Sequence, residues 1–114
     1  MCGISGIKAS GDQESNIREM SRLLKHRGPE NTSFYNYKDY WLGHNRLRII
    51  DIDNGDQPMF NSDRSVAIIF NGEIYNYLSL KTELESKGFG FKTKSDTEVL
   101  INLYLDRVFK CLIF

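Results

Sequence analysis

A continuous apolar run followed by an Asn-Gly pair limits how this chain can fold. The run is Val-Ala-Ile-Ile-Phe at positions 66–70, and Asn71 and Gly72 follow it directly. Five successive apolar side chains are consistent with a β-strand that is covered on both faces. Asn and Gly tolerate a positive φ, so the backbone can bend sharply after the strand. The sequence therefore predicts a buried strand that supports a tight bend at positions 71 and 72.

The segments before this run alternate between extended and helical patterns. Residues 3–9 are predicted to be a strand, and apolar residues at helical spacing predict a helix over residues 14–25. This helix ends before the Gly-Pro pair at 28–29, because Gly can cap a helix and Pro cannot continue it. Aromatic and β-branched residues between positions 32 and 52 predict two or three further strands.

The sequence after the apolar run at 66–70 has mainly helical patterns. Residues 77–87 are predicted to form a helix closed by Gly88, and a short strand is predicted over residues 89–91. Ser95 and Glu98 have the Ser-x-x-Glu spacing of a capping box, so a third helix is predicted to begin there. Glu98 is assigned to this cap and not to chemistry.

Composition and charge exclude several classes of partner. The 114 residues include 15 basic and 15 acidic side chains, so the formal net charge is zero. No long run of Lys and Arg is present, and nothing predicts a nucleic-acid partner. No segment approaches the ~18 apolar residues that cross a bilayer, and no secretory signal is visible. We therefore expect a reduced, cytoplasmic protein without a nucleic-acid or membrane partner.

Cys2 is the first candidate for chemistry. An initiator Met is removed when the next residue is small, so Cys2 is expected to carry both a thiol and the terminal α-amino group. A terminal amine is partly neutral near pH 7 and can act as the base that activates a thiol. The alternative is a small residue with no role. Cys111, the second cysteine, is interpreted as a core residue, and the two cysteines have no metal-ligand spacing.

Five short motifs occur in one order along the chain. They are Met1–Gly6 (MCGISG), His26–Glu30 (HRGPE), Gly43–Leu47 (GHNRL), Asn71–Asn76 (NGEIYN) and Ser95–Glu98 (SDTE). In this order and spacing the chain resembles the glutaminase domains of asparagine synthetases, which are class II glutamine amidotransferases among the N-terminal-nucleophile hydrolases. The resemblance covers roughly residues 1–105. Glu30 stands where the family usually has Asp, and both residues are acidic.

The resemblance implies which residues carry the chemistry. Cys2 would attack the side-chain amide carbon of glutamine, release ammonia and leave a γ-glutamyl thioester that water hydrolyses. The Asn71 side-chain amide and the Gly72 backbone N–H would stabilise the oxyanion of the tetrahedral intermediate. The alternative for this pair is an ordinary Asn-Gly turn.

The same resemblance implies how the charged ends of glutamine are bound. Arg46 matches the family's carboxylate-binding arginine, although spacing alone does not separate it from Arg48. Arg48 stands where the family more often has Ser or Ala, so we expect it to matter less. Asp96 matches the ligand of the substrate ammonium group, and Glu73 matches a second polar contact. The alternatives are a solvated charge for Arg46 and Glu73, and a favourable first-turn acid for Asp96.

The two histidines, His26 and His44, are interpreted as structural residues. The amine of Cys2 makes a histidine base unnecessary. Arg27 and Pro29 are interpreted as residues that shape the adjacent loop.

The resemblance also implies an α+β fold, the αββα sandwich of N-terminal-nucleophile hydrolases, which we expect to be incomplete here. Residues 1–114 are interpreted as a type 2 glutamine amidotransferase domain truncated at its C-terminal side, without a synthetase domain. Missing strands would leave open sheet edges and uncovered apolar faces. We therefore expect reduced stability or dependence on a partner chain.

The predicted function is hydrolysis of glutamine to glutamate and ammonia for asparagine biosynthesis. No cofactor or metal is predicted for this chain, since ATP and Mg²⁺ are implied only for the absent synthetase domain. Glutamine is the implied ligand, and a separate synthetase chain or the remainder of the domain is the implied partner. Two alternatives stay open: an inactive remnant, and a glutamine-binding module without turnover.

Overall fold

Helices and antiparallel strands make up the structure, a computed structural model that describes residues 1–47 and 55–107. In chain order the elements are β1 (Gly3–Lys8), α1 (Glu14–Leu23), β2 (Asn31–Tyr37), β3 (Tyr40–Arg46), β4 (Met59–Phe60), β5 (Ala67–Ile68), α2 (Tyr77–Ser86) and α3 (Asp96–Arg107). The described residues divide into two units, of which the first comprises 1–47, 56–58 and 69–72 and the second comprises 55, 59–68 and 73–107. This architecture confirms the predicted α+β class.

The first unit is a three-stranded antiparallel sheet with helix α1 on one face. The strand order is β1-β3-β2, so β3 is the central strand. Gly43 of β3 lies opposite Ser5 of β1 and Phe34 of β2. Ile17 and Ser21 of α1 are buried against this face, and the hydroxyls of Ser21 and Ser5 are 3.2 Å apart. The small residues at this contact let the helix and the sheet approach closely.

Alternation along β3 gives the sheet two different faces. Successive side chains of a strand point to opposite faces. Gly43 and Asn45 therefore lie on the face covered by α1, whereas His44 and Arg46 lie on the other face. Ser33 of β2 pairs with His44 and shares that second face. Two charged or ionisable side chains are thus placed together, away from the helix.

The turn after α1 packs directly on the backbone of β3. A Cβ atom built on Gly28 would lie 2.1 Å from the carbonyl oxygen of Asn45 and 2.7 Å from the carbonyl carbon of Arg46. Two residues later, the Glu30 N–H donates to the Arg46 carbonyl oxygen at 3.3 Å. The His-Arg-Gly-Pro-Glu motif therefore holds the end of the central strand.

The second unit packs α3 against α2 and against a small hairpin of β4 and β5. Met59 pairs with Ile68 and Phe60 with Ala67. Among the described residues of this unit, three buried apolar side chains are each 1% exposed or less: Leu84, Val99 and Ile101. Helix α2 ends as predicted, because Gly88 adopts a φ of +91°, a conformation that glycine accepts at no steric cost.

Most predicted elements are present with small changes of boundary. The first strand ends at Lys8 and helix α1 ends at Leu23, two residues before the predicted end. Two of the strands predicted between positions 32 and 52 are seen, and residues 48–54 lie outside the described part of the chain. Cys111 also lies outside it. None of the described helices is long and apolar enough to span a bilayer.

The prediction of a strand covered on both faces over residues 66–70 was wrong. Only Ala67 and Ile68 are in a strand, and both are half-buried. The flanking N–H groups bond to side chains instead of a neighbouring strand. The Val66 N–H donates to the side chain of Asn61 at 2.9 Å. The Phe70 N–H donates to the side chain of Gln57 at 2.5 Å.

The predicted strand over residues 89–91 is also absent from this part of the structure. The Phe89 N–H donates to the Leu84 carbonyl oxygen at 3.1 Å, and the Gly90 carbonyl oxygen accepts from the Asn102 side chain at 3.3 Å. These backbone groups are therefore used to end α2 and to attach the segment to α3. Since the hydrogen bonds are already made, the segment does not pair as a strand.

Helix α3 begins where predicted, but its cap differs from the capping box. Ser95 Oγ accepts the Thr97 N–H at 3.2 Å. The Glu98 carboxylate accepts the N–H groups of Lys92 and Thr93 at 2.8 and 2.7 Å, so it does not return to Ser95. Glu98 therefore fixes the turn before the helix.

Replacement of Gly28 by Ala should destabilise the first unit strongly. The new Cβ cannot occupy a position 2.1 Å from the Asn45 carbonyl oxygen, so the turn must move away from β3. We expect the free energy of unfolding to fall by about 2 kcal/mol or more, measured by urea denaturation.

Gly6→Ala is the matched control, because its Cβ would meet its nearest described neighbour at an ordinary 3.7 Å. Equal stability of the two variants would contradict the close packing at Gly28.

Candidate functional site

The Cys2 thiol lies beside the end of the central strand. Cys2 directly precedes β1 and is half-buried. The Leu47 N–H donates to Cys2 Sγ at 3.3 Å, and Sγ is 3.6 Å from the Leu47 carbonyl oxygen. Leu47 directly follows β3, and β1 pairs with β3 up to Gly3 opposite Asn45. Strand pairing therefore fixes the thiol next to the residue that follows Arg46.

Arg27 holds the backbone of Cys2. Its Nε donates to the Cys2 carbonyl oxygen at 3.2 Å. Met1, on the other side of Cys2, is 69% exposed. The residue that must be removed to give an N-terminal cysteine is thus accessible, while the contacts that position Cys2 come from Arg27, Leu47 and strand β1.

Arg46 is a buried cation in contact with a half-exposed carboxylate. Its side chain is 4% exposed, and Nη1 lies 2.6 Å from Oδ1 of Asp56, whose side chain is 54% exposed. The same Oδ1 accepts from the Asn31 side-chain amide at 3.3 Å. The predicted carboxylate-binding arginine is therefore already in an ion pair with a carboxylate of its own chain.

The segment that carries Asp56 is anchored by the next residue, Gln57. Gln57 is 8% exposed, and its Oε1 accepts the Phe70 N–H at 2.5 Å. The Ser33 hydroxyl donates to the Gln57 carbonyl oxygen. The Gln57–Pro58 peptide bond is cis. These contacts attach both this turn and the chain just before residues 71 and 72 to the second face of the sheet.

His44 is buried on this face beside Arg46. It is 1% exposed, and neither ring nitrogen has a hydrogen-bond partner of normal geometry among the described residues. Burial lowers the His44 pKa from 6.5 to about 4, and the charge of Arg46 adds to this, while Asp56 and the Phe70 backbone oppose it in part. His44 is thus neutral at pH 7.

The Asn71-Gly72 pair follows the anchored Phe70. Asn71 is half-buried and Gly72 is exposed. The predicted reason for glycine here was wrong, because Gly72 does not adopt a positive φ. Instead, a Cβ atom on Gly72 would lie 2.7 Å from Cζ of the Phe70 ring. Close approach of an aromatic ring, not backbone handedness, favours glycine at this position.

The two predicted acidic ligands belong to the second unit. Asp96 is the first residue of α3 and is 5% exposed, and its Oδ2 accepts the Ile74 N–H at 3.0 Å. Glu73 directly precedes Ile74 and is exposed. The structure therefore brings Asp96 to the segment that carries Glu73.

The six predicted site residues fall into two sets. Four of them belong to the first unit: Cys2, Arg46, Asn71 and Gly72. Glu73 and Asp96 belong to the second. Arg48, the predicted control for Arg46, lies outside the described residues. Across the described ranges, no group of three or more His, Cys, Asp or Glu side chains is placed to hold a metal ion.

Sequence reasoning missed three residues that lie at or beside the predicted site. Leu47 contacts the thiol through its backbone, and a backbone contact leaves no signal in the residue type. Gln57 acts as an anchor, but its turn gave no sign of burial. Asp56 had a weak signal, since a buried arginine generally needs an acidic partner.

Comparison with known proteins gives a consistent set of matches. A family model described as the glutamine amidotransferase domain matches residues 1–112. The chain is 44% identical over 110 residues to asparagine synthetase (glutamine-hydrolyzing) 1 of Bacillus subtilis, and 45% identical over 108 residues to asparagine synthetase (glutamine-hydrolyzing) 2 of Oryza sativa subsp. japonica. These alignments cover 91% of this chain but only 17% and 18% of the relatives, so the chain spans less than a fifth of their length.

His44 should make the folded chain sensitive to acid. Between pH 6.5 and about 4, the unfolded chain binds a proton at His44 that the folded chain does not bind. The contribution of His44 to the free energy of unfolding is therefore highest above pH 6.5. It falls as the pH is lowered toward 4, because protonation of His44 favours the unfolded chain. We expect His44→Gln to lose less stability than the wild type over this window, by up to about 3 kcal/mol.

The measurement is urea denaturation at several pH values. His26→Gln is the control, because His26 is exposed. Parallel pH profiles for the wild type and His44→Gln would contradict the prediction.

Proposed function

Because the chain belongs to the glutamine amidotransferase domain family, we propose that it carries the glutamine-hydrolysing site of an asparagine synthetase, with Cys2 as the nucleophile. The observation that supports this most directly is the placement of Cys2 Sγ at the Leu47 N–H, one residue beyond the buried Arg46. A nucleophile and a cation are thereby held at the ends of two paired strands. This is a suitable support for a reaction on a small amino-acid amide.

The proposed reaction begins with removal of Met1, which gives Cys2 a terminal amine. The amine accepts the thiol proton, directly or through water, and Sγ attacks the side-chain amide carbon of glutamine. The carbonyl π bond opens and its electron pair moves to oxygen. The Asn71 side-chain amide and the Gly72 N–H stabilise this oxyanion.

Collapse of the tetrahedral intermediate re-forms the carbonyl and breaks the C–N bond. The protonated amine of Cys2 supplies the proton with which ammonia leaves, and a γ-glutamyl thioester remains. Water then attacks the thioester carbon, breaks the C–S bond and gives glutamate and the thiol. No cofactor is needed for these steps.

The charged ends of glutamine are proposed to bind separately. Arg46 pairs with the α-carboxylate, for which a planar guanidinium provides two parallel donors. Asp96 accepts from the α-ammonium group, and Glu73 provides a second polar contact. The bond from the Ile74 N–H to Asp96 supports this assignment, because it fixes one carboxylate oxygen and so orients the group.

We also propose that residues 1–114 form the front part of a type 2 amidotransferase domain with the αββα sandwich fold. The antiparallel sheets and the helix on one sheet face support this proposal. A synthetase chain, or the remainder of the domain, would then be the partner that uses the ammonia. ATP and Mg²⁺ would belong to that synthetase part.

Replacement of Cys2 by Ser should abolish glutamine hydrolysis. Serine is a far weaker nucleophile near pH 7, so we expect the rate of glutamate release to fall by about three orders of magnitude or more, measured in a coupled assay. Cys111→Ser is the control and should keep the wild-type rate. An unchanged rate in Cys2→Ser would exclude the proposed mechanism, and no release by the wild type would favour a remnant or a binding module.

Arg46→Lys should weaken glutamine binding more than it slows the chemistry. Lysine keeps the charge, and with it the pair with Asp56, but loses the planar fork that matches a carboxylate. We expect KM for glutamine to rise about tenfold with a smaller change in kcat. Arg48→Lys is the matched control, two residues along the chain. Equal effects of the two substitutions would contradict the assignment of Arg46.

A further inference from the structure

The cation proposed to bind the substrate carboxylate already holds a carboxylate. Asp56 Oδ1 lies 2.6 Å from Arg46 Nη1, the spacing of a strong charge-assisted hydrogen bond. The Arg46 side chain is only 4% exposed, whereas that of Asp56 is 54% exposed. Since so little of Arg46 is open to solvent, a carboxylate arriving from solution has almost no guanidinium surface to contact while Asp56 stays in place.

We propose that Asp56 is an internal competitor for the substrate carboxylate and thereby sets the affinity for glutamine. The inference rests on the proposed function of Arg46 in carboxylate binding. In the absence of glutamine, Asp56 neutralises a buried cation whose charge would otherwise be costly. When glutamine binds, its α-carboxylate replaces the Asp56 carboxylate at Arg46.

The segment that carries Asp56 is anchored at the next residue, Gln57. Gln57 is fixed through its Oε1 to the Phe70 N–H and through its carbonyl oxygen to the Ser33 hydroxyl. By contrast, two of the contacts of Asp56, to Arg46 and to Asn31, use the same carboxylate oxygen, Oδ1. Rotation of one short, half-exposed side chain breaks both of these contacts.

Repulsion between the two carboxylates favours exchange over simultaneous binding. His44 is neutral at pH 7, so it adds no positive charge beside Arg46. Two carboxylates at one guanidinium would repel each other with no second cation supplied by His44. The apparent dissociation constant for glutamine is therefore the intrinsic constant divided by the fraction of molecules in which Asp56 has left Arg46.

The test is the dissociation constant of L-glutamine, measured by calorimetry on the full chain carrying Cys2→Ala so that glutamine is not consumed. Asp56→Asn keeps the size and one acceptor oxygen but removes the competing charge. We expect it to bind glutamine about two- to fivefold more tightly than the parent, the range of a partly exposed ion pair. Asp56→Glu, which keeps the charge, should bind more weakly than Asp56→Asn.

Asp39→Asn is the matched control, because it removes the same charge from an exposed turn between β2 and β3. Its dissociation constant should equal that of the parent. Asn31→Ala is a second test variant, since it removes one contact of Asp56 but leaves the ion pair, and it should tighten binding by a smaller factor. Thermal melting provides an independent readout: Asp56→Asn should melt lower than the parent without glutamine and show the larger rise when glutamine is added.

The outcomes separate this inference from the proposed function. Tighter binding by Asp56→Asn, or binding by this variant alone, supports the competitor role. Unchanged or weaker binding by Asp56→Asn, in a parent that binds glutamine, overturns the inference and leaves the proposed function standing; weaker binding would mean that Asp56 positions Arg46. If neither the parent nor any variant binds glutamine, the proposed function fails and the inference fails with it.

Discussion

Backbone packing around the central strand β3 determines where two of the predicted site residues, Cys2 and Arg46, lie. On one side, the turn at Gly28 approaches the carbonyl groups of Asn45 and Arg46 so closely that a side chain is excluded. Protein interiors are close-packed, so a contact of this kind cannot relax without moving the whole turn. That turn also carries Arg27, which bonds to the Cys2 carbonyl oxygen. One packing contact therefore holds the end of β3 and, through the adjacent residue, the segment that carries the thiol.

The alternation of side chains along β3 decides which of them lie on the face away from the helix. Along β3, the face covered by α1 contains Gly43 and Asn45, and the opposite face contains His44 and Arg46. A buried guanidinium requires a negative partner, which Asp56 provides, and burial lowers the His44 pKa to about 4, so that the ring is neutral at pH 7. The electrostatic state of the site thus follows from which strand positions face away from the helix. Cys2 joins it because β1 pairs with β3 in a fixed register.

Local features of the sequence predicted the parts of the fold that local interactions control. The helix ended by Gly88, the helix beginning at Asp96 and the strands β1 to β3 were all found close to the predicted positions. The strand over residues 66–70 was not found as predicted, because hydrophobic sequence does not specify which groups the backbone N–H atoms meet. In the structure they meet side chains of Asn61 and Gln57. Partners that lie five and thirteen residues away have no signature in a five-residue window.

The candidate site was likewise predictable from the sequence only in part. Motif order pointed to Cys2 and Arg46, and the structure places them at the ends of paired strands. The contact of Leu47 with the thiol was not predictable, since it uses only backbone atoms. The pairing of Asp56 with Arg46 was not predictable either, because the need for an acidic partner does not identify which of several acids meets it. Asp56 reaches Arg46 only through the chain path that brings residues 56–58 onto the sheet.

We propose that the chain forms a glutamine pocket around an N-terminal Cys2 nucleophile. Intact mass spectrometry after exposure to an electrophilic glutamine analogue tests it most directly, with and without excess glutamine. We expect a chain that has lost Met1 and carries one adduct on Cys2, and we expect excess glutamine to prevent this adduct. A chain that lacks Met1 but forms no adduct, or forms one that glutamine does not prevent, would contradict this proposal.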